Sequence, residues 1–328
     1  MRYEYVYSSN QYVPKKKYNF IKILRYVIFS LVIFLIGFYT TSFIHRTFFV
    51  KKGTVGIVSP ITDPISESLG TIQGMMNPSE LPTVVEKSLD GSQGIYSVAI
   101  KNLKTGETYF SNADKKYDSA SLYKLWTMAA VFHEIEKGTI NPEKNITYDI
   151  EEINNRFDIA TESAELTEGT FNMSVKNALS QMITISHNYA ALSLTLEIGL
   201  PKVTQFLQQY GFNDSSTKSP PKTTARDILK FYEKLYTGEL ASPESTTQML
   251  TLLKRQSIND RIPKYLPAGV EVAHKTGELG FVKHDAGIVY SKKGDYIIVL
   301  MSETTSPAGA AEREALVSKG VYEYFEGR

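Results

Sequence analysis

The sequence predicts an α+β protein: an antiparallel sheet built from both ends of a globular region, an all-helical subdomain inserted between them, and one N-terminal transmembrane helix. Three observations lead there. Strand signals occur near residues 94–111 and again only after 270; helical periodicity dominates the interval; and Tyr26 to Ile44 is a run of nineteen residues without a charge.

That run, at about 1.5 Å per residue, extends roughly 28 Å, close to the hydrocarbon thickness of a bilayer. Arg2, Lys15, Lys16, Lys17, Lys22 and Arg25 precede it, against Arg46, Lys51 and Lys52 after it. The excess of basic residues predicts a cytoplasmic tail over 1–25, a single-pass span over 26–44 and an extracytoplasmic remainder in the cell membrane. The segment after the run is a poor signal-peptidase site, so an anchor is expected rather than a cleaved leader. Residues 45–80, punctuated by Gly53, Gly56, Pro60, Pro64, Gly70, Gly74 and Pro78, read as a stalk. The folded domain is then 81–328.

Composition excludes several functions. There is no cysteine, and the five histidines show no ligand spacing, so neither a metal nor another cofactor is expected. The formal charge is +1, but the first 25 residues carry +5, which leaves about −4 for the rest. A nucleic-acid partner therefore has no support, because the basic excess belongs to the tail.

Within the domain, LPTVVEKSL predicts a short first helix closing at Asp90-Gly91, and Gly94–Lys101 with Glu107–Ser111 predict a hairpin. A helix then follows Ser121 and should stop at Gly138. Residues 139–173 are polar and irregular, and read as surface loops and short turns. Helices are expected over 174–185, 190–197, 201–209, 224–236 and 244–255, strands over 270–275, 286–290 and 295–301, and a closing amphipathic helix over 309–325.

The stretch Asp118-Ser119-Ala120-Ser121-Leu122-Tyr123-Lys124 organises the rest. Positions i and i+3 of a helix share a face, so Lys124 can reach the Ser121 hydroxyl, and free N–H groups in a first helical turn favour negative charge. The S-x-x-K pattern alone is weak, since Ser215–Lys218 and Ser219–Lys222 also fit it. Two later strings complete a set: Ser186-His187-Asn188, and His274-Lys275-Thr276-Gly277 on a strand. Ser257-Ile258-Asn259 and Lys104-Thr105-Gly106 match the same patterns but lie in a loop and a hairpin turn, and Lys104 precedes the serine.

In this order the three strings resemble the penicillin-recognising active-site-serine superfamily of class A β-lactamases and D,D-peptidases, over about Leu81–Arg328. The resemblance implies a β-lactamase/D,D-peptidase-like fold. Ser121 would be the nucleophile, Lys124 its base if burial beside Lys275 keeps the amine neutral, and Ser186 the proton relay to the leaving nitrogen. Asn188 would hold the substrate amide, while Lys275, Thr276 and Gly277 would form the strand that receives a substrate carboxylate. The backbone N–H groups of Ser121 and Glu278 would receive the oxyanion. The Glu278 side chain would either act as a base or, the reading favoured here, repel anionic substrates.

The chain departs from that family where class A enzymes carry an Ω-loop glutamate that activates the deacylating water. Residues 213–221 contain no Glu, and Lys222 stands where the family has an Asp. Glu162, Glu165 and Glu168 read as surface residues. The expectation is an extracytoplasmic serine hydrolase acylated by β-lactams or acyl-D-Ala-D-Ala-type peptidoglycan peptides, with slow deacylation. The alternatives are a D,D-carboxypeptidase or related envelope amidase or esterase, and a pseudoenzyme that binds peptidoglycan or a partner.

Overall fold

The computed structural model describes residues 80–327. The basic tail, the apolar run over 26–44 and the stalk up to residue 79 lie outside the described residues. Among those described, no helix is long and apolar enough to cross a membrane.

The first helix, α1 (Leu81–Leu89), is followed by β1 (Ile95–Asn102) and β2 (Thr108–Ser111), the expected hairpin. Its turn is held by Asn102, whose Oδ1 accepts from the N–H of Lys104 at 3.0 Å and of Thr105 at 2.9 Å. The K-T-G string at 104–106 is thus turn chemistry. After β3 (Tyr117–Asp118) a single 3₁₀ turn, Ala120–Leu122, leads into α2 (Tyr123–Glu136).

The interval 139–173 is more ordered than expected. It holds β4 (Asn145–Asp149), α3 (Ile150–Arg156), a 3₁₀ turn at Thr161–Ser163 and β5 (Thr170–Ser174), with β4 and β5 paired antiparallel. The inserted subdomain is therefore not all-helical. Each strand is five residues long and buries one large apolar side chain, Ile146 or Phe171. That is too little pattern to read as a strand before the partner is known.

Helices α4 (Val175–Thr184), α5 (Asn188–Ile198), α6 (Leu200–Gln209), α7 (Ala225–Tyr236) and α8 (Pro243–Lys254) follow, with the short β6 (Lys222–Thr223) before α7. Four of these five helices are capped by side chains at their starts, where Ser174, His187, Thr224 and Ser242 each accept a first-turn N–H, while the N-cap of α6 is Gly199. The chain closes with β7 (Val272–Leu279), β8 (Val282–Val289), β9 (Tyr296–Glu303) and α9 (Pro307–Glu326).

The five-stranded sheet runs β2-β1-β9-β8-β7, so the first hairpin and the last three strands join along β1 and β9, antiparallel throughout. Strand alternation divides the core in two. Ile297, Val299 and Met301 of β9 face the helical subdomain, with Ala99 and Ala273. Tyr296, Ile298 and Leu300 face α1 and α9, with Val98, Ile100 and Val272. On β7 the same alternation sends Lys275 and Gly277 toward the helical subdomain, and His274, Thr276 and Glu278 toward the terminal-helix side.

Candidate active site

The three motif strings meet between the end of β7, the 3₁₀ turn before α2 and the turn between α4 and α5. Ser121 lies in that 3₁₀ turn, one residue after Ala120, whose φ of 44° is left-handed. Ser186, between α4 and α5, is also left-handed at φ 59°. A side chain in this region costs of order 1–3 kcal/mol, so the surrounding structure must hold both turns in place. Around Ser121 it does so from three sides. The Ser119 N–H donates to Pro221 O at 2.8 Å, the Leu122 N–H to Ser119 O at 3.0 Å, and buried His284 lies 2.9 Å through Nε2 from Asp118 O. On the fourth side a Cβ at Gly277 would come within 3.2 Å of Ser119 O and 3.3 Å of Leu122 Cγ, so glycine lets β7 approach the serine turn.

Lys124 is wholly buried. Its Nζ donates to the Ser186 carbonyl at 2.5 Å, to Ser186 Oγ at 3.2 Å and to Asn188 Oδ1 at 2.6 Å. Lys275, also wholly buried, donates to Ser186 Oγ at 3.0 Å and to Thr276 O at 2.8 Å. One hydroxyl thus bridges two buried amines. Among the described residues, no side chain or backbone group hydrogen-bonds the Ser121 hydroxyl. The structure therefore brings Lys124 to Ser186 and Asn188, where the helical spacing alone suggested Ser121.

Removal from water is expensive for a cation, and both amines respond. Burial brings the Lys124 amine down to about 7, with the Glu165 carboxylate opposing the shift. Burial, and next the Lys124 charge, hold Lys275 well below the usual lysine range. Among the described residues no cluster of metal-ligating side chains occurs.

Two residues not read as part of the site are found in it. Glu165 accepts a hydrogen bond from Asn188 Nδ2, which completes a chain from Glu165 through the Asn188 amide to Lys124. Its loop is pinned one residue on: the Leu166 carbonyl accepts from Tyr189 Oη at 2.7 Å and from Asn154 Nδ2 at 2.8 Å, both residues being buried. The sequence offered no signal for this, since Glu165 is one of several acids in a polar stretch. The second is Arg261, fully buried, whose Nη2 donates to Glu278. Lys283, opposite Glu278 in the β7–β8 ladder, donates to the same carboxylate oxygen. First the Lys283 hydrogen bond, then the charges of both cations, hold the Glu278 carboxyl below its ordinary value. A carboxylate so stabilised is a weak base.

The remaining pattern matches lie elsewhere. Ser257 donates through Oγ to Thr184 O at 2.9 Å, in a loop after α8, and Ser215 donates to the buried carboxylate of Asp227 at 2.8 Å. Asp227 Oδ2 also accepts the Asp214 N–H at 3.0 Å, so this acid fastens the glutamate-free segment 213–221 to α7.

A five-stranded antiparallel sheet flanked by helices, with a serine turn and two buried lysines meeting at one hydroxyl, defines a serine hydrolase of the acyl-enzyme class. Residues 80–325 match the model of the beta-lactamase enzyme family, and the chain belongs to that family. A β-lactamase of Streptomyces lavendulae is 25% identical over 255 residues, covering 72% of this chain and 81% of that protein. Among solved structures, PBP-A superposes with a TM-score of 0.66 at 25% identity, covering 76% of this chain and 96% of that one. A mutant of PBP-A, solved as an acyl-enzyme complex with penicillin G, has a TM-score of 0.66 at 24% identity, covering 77% and 100%.

Proposed function

We propose that this chain is an extracytoplasmic, membrane-anchored serine hydrolase that β-lactams or acyl-D-Ala-D-Ala-type peptides acylate at Ser121, and that it releases β-lactam acyl groups slowly. The observation that carries the reading is the Ser186 hydroxyl held between Lys124 at 3.2 Å and Lys275 at 3.0 Å. With an amine near 7, Lys124 is neutral often enough at physiological pH to take the Ser121 proton as Oγ attacks the carbonyl. Ser186 passes a proton to the departing nitrogen. Lys275 and Thr276 receive the substrate carboxylate, Asn188 its amide, and the N–H groups of Ser121 and Glu278 its oxyanion.

Slow release follows from the segment 213–221, which has no glutamate to activate water. Glu278 is engaged by two cations, and Glu165 by Asn188. For a peptide whose leaving group departs, Lys124 can itself activate water, which keeps a D,D-carboxypeptidase reaction within reach of the same residues. The uncharged run over 26–44 and its basic flank support the membrane anchor and the outside location.

The full-length protein incubated with a fluorescent penicillin should form a covalent adduct that persists for hours, and Ser121→Ala should abolish it. Absence of an adduct from the wild-type protein would refute acylation, and release within milliseconds would refute slow deacylation. Protease added to intact cells should digest the domain; full protection would overturn the topology.

A further inference from the structure

Arg261 is a charge that the three motif strings leave unexplained. Its side chain is wholly buried, on the loop between α8 and β7, and its Nη1 donates to His284 O at 3.4 Å. Nε stands 3.5 Å from Asp260 Oδ1 without forming a hydrogen bond. A guanidinium taken out of water requires an anion close by. Glu278 supplies it: one carboxylate oxygen accepts from Arg261 Nη2 and from Lys283 Nζ together.

The position of that anion matters for binding. Glu278 follows Thr276 by two residues on β7, so the two side chains leave the strand on the same side. Lys275 and Thr276 are the pair assigned above to a substrate carboxylate. On Thr276's side of β7, opposite the face from which Lys275 reaches Ser186, there is therefore a carboxylate that is 60% exposed and so faces the solvent from which a substrate arrives.

We propose that Glu278, held by Arg261 and Lys283, is a specificity-determining residue: it occupies the cationic end of the site, so that acyl donors uncharged beside the scissile bond react faster than those carrying a carboxylate there. This rests on the acylation of Ser121 proposed above. A substrate carboxylate entering beside Thr276 meets a like charge and competes for cations that are already paired. A neutral substituent meets neither obstacle. The exclusion is partial, because Lys275 contributes a further positive charge when protonated.

Benzylpenicillin and its methyl ester differ in the charge in question and in one methyl group. The full-length protein is acylated with each, and the second-order rate of Ser121 adduct formation is followed by intact mass. Wild type should prefer the ester. Glu278→Gln keeps an oxygen for Arg261 and removes the charge; it should raise the acid-to-ester rate ratio by about tenfold or more, a readout in which any effect common to both compounds cancels. Lys283→Gln, which leaves Glu278 less neutralised, should move the acid-to-ester ratio the other way. A ratio unchanged in both variants, with adducts still forming, overturns this inference alone. No adduct from either compound overturns the acylation reading, and this inference with it.

Discussion

Ser121 can be deprotonated by Lys124 only when that amine has lost its own proton, and the structure sets where that happens. Lys124 is wholly buried, and burial brings its amine from 10.5 to about 7. The active form is the deprotonated one, so the rate of acylation should rise with pH through about 7 and level off above it. Roughly one amine in ten is neutral one unit below the midpoint, so the rate at pH 6 should be about a tenth of the plateau. The same shift weakens folding at low pH. A lysine with a depressed folded pKa contributes its full stability above the unfolded value of 10.5 and loses it as pH falls toward the folded value of about 7, a cost on the order of 5 kcal/mol. Glu165 holds Lys124 up by its charge, relayed in space through Asn188. Glu165→Gln should therefore move the rising limb to lower pH, so that at pH 6 the variant reaches a larger fraction of its plateau than wild type. The assay is the second-order rate of labelling by a fluorescent penicillin from pH 5.5 to 8.5 at constant ionic strength. A flat profile, a rate that falls with rising pH, or a limb that moves to higher pH in Glu165→Gln would refute the assignment of Lys124 as the base.

Two further outcomes test the scaffold. Gly277→Ala places a methyl 3.2 Å from Ser119 O and 3.3 Å from Leu122 Cγ, and should cost about 1–3 kcal/mol of stability in a denaturant titration while slowing acylation, because the strain falls on the serine turn. Normal stability with normal acylation would show that the turn can yield. Asp227→Ala removes the acceptor for the Asp214 N–H and the Ser215 hydroxyl, and should lower stability by about 1–3 kcal/mol with early proteolysis within 213–221; an unchanged digestion pattern would show that the segment is held otherwise.

The family, the order of strands and helices, and the three motif strings were legible because each rests on local pattern. Ser121, Ser186, Asn188 and Lys275 stand in strings a few residues long, and β1 and β9 carry enough apolar residues to be read one at a time, whereas only the second half of β8 is legible, because Lys283, His284 and Asp285 interrupt its first half. Residues 139–173 failed on the same ground. β4 and β5 gain their meaning from pairing with each other across α3, and five polar-rich residues predict nothing without the partner.

The sequence by itself grouped a serine, two lysines and a second serine into one candidate site, because their residue types and order suffice for that expectation. Only the tertiary structure decided which atoms touch. Hydrogen-bond partners are set by chain segments far apart in sequence. Lys124 turns to Ser186 and Asn188, more than sixty positions away, and Asn188 is met by Glu165 from a loop with no period of its own. Burial is likewise a property of the packed whole: nothing local distinguishes Arg261 from a surface arginine, yet the fold encloses it and so requires the carboxylate of Glu278 beside it.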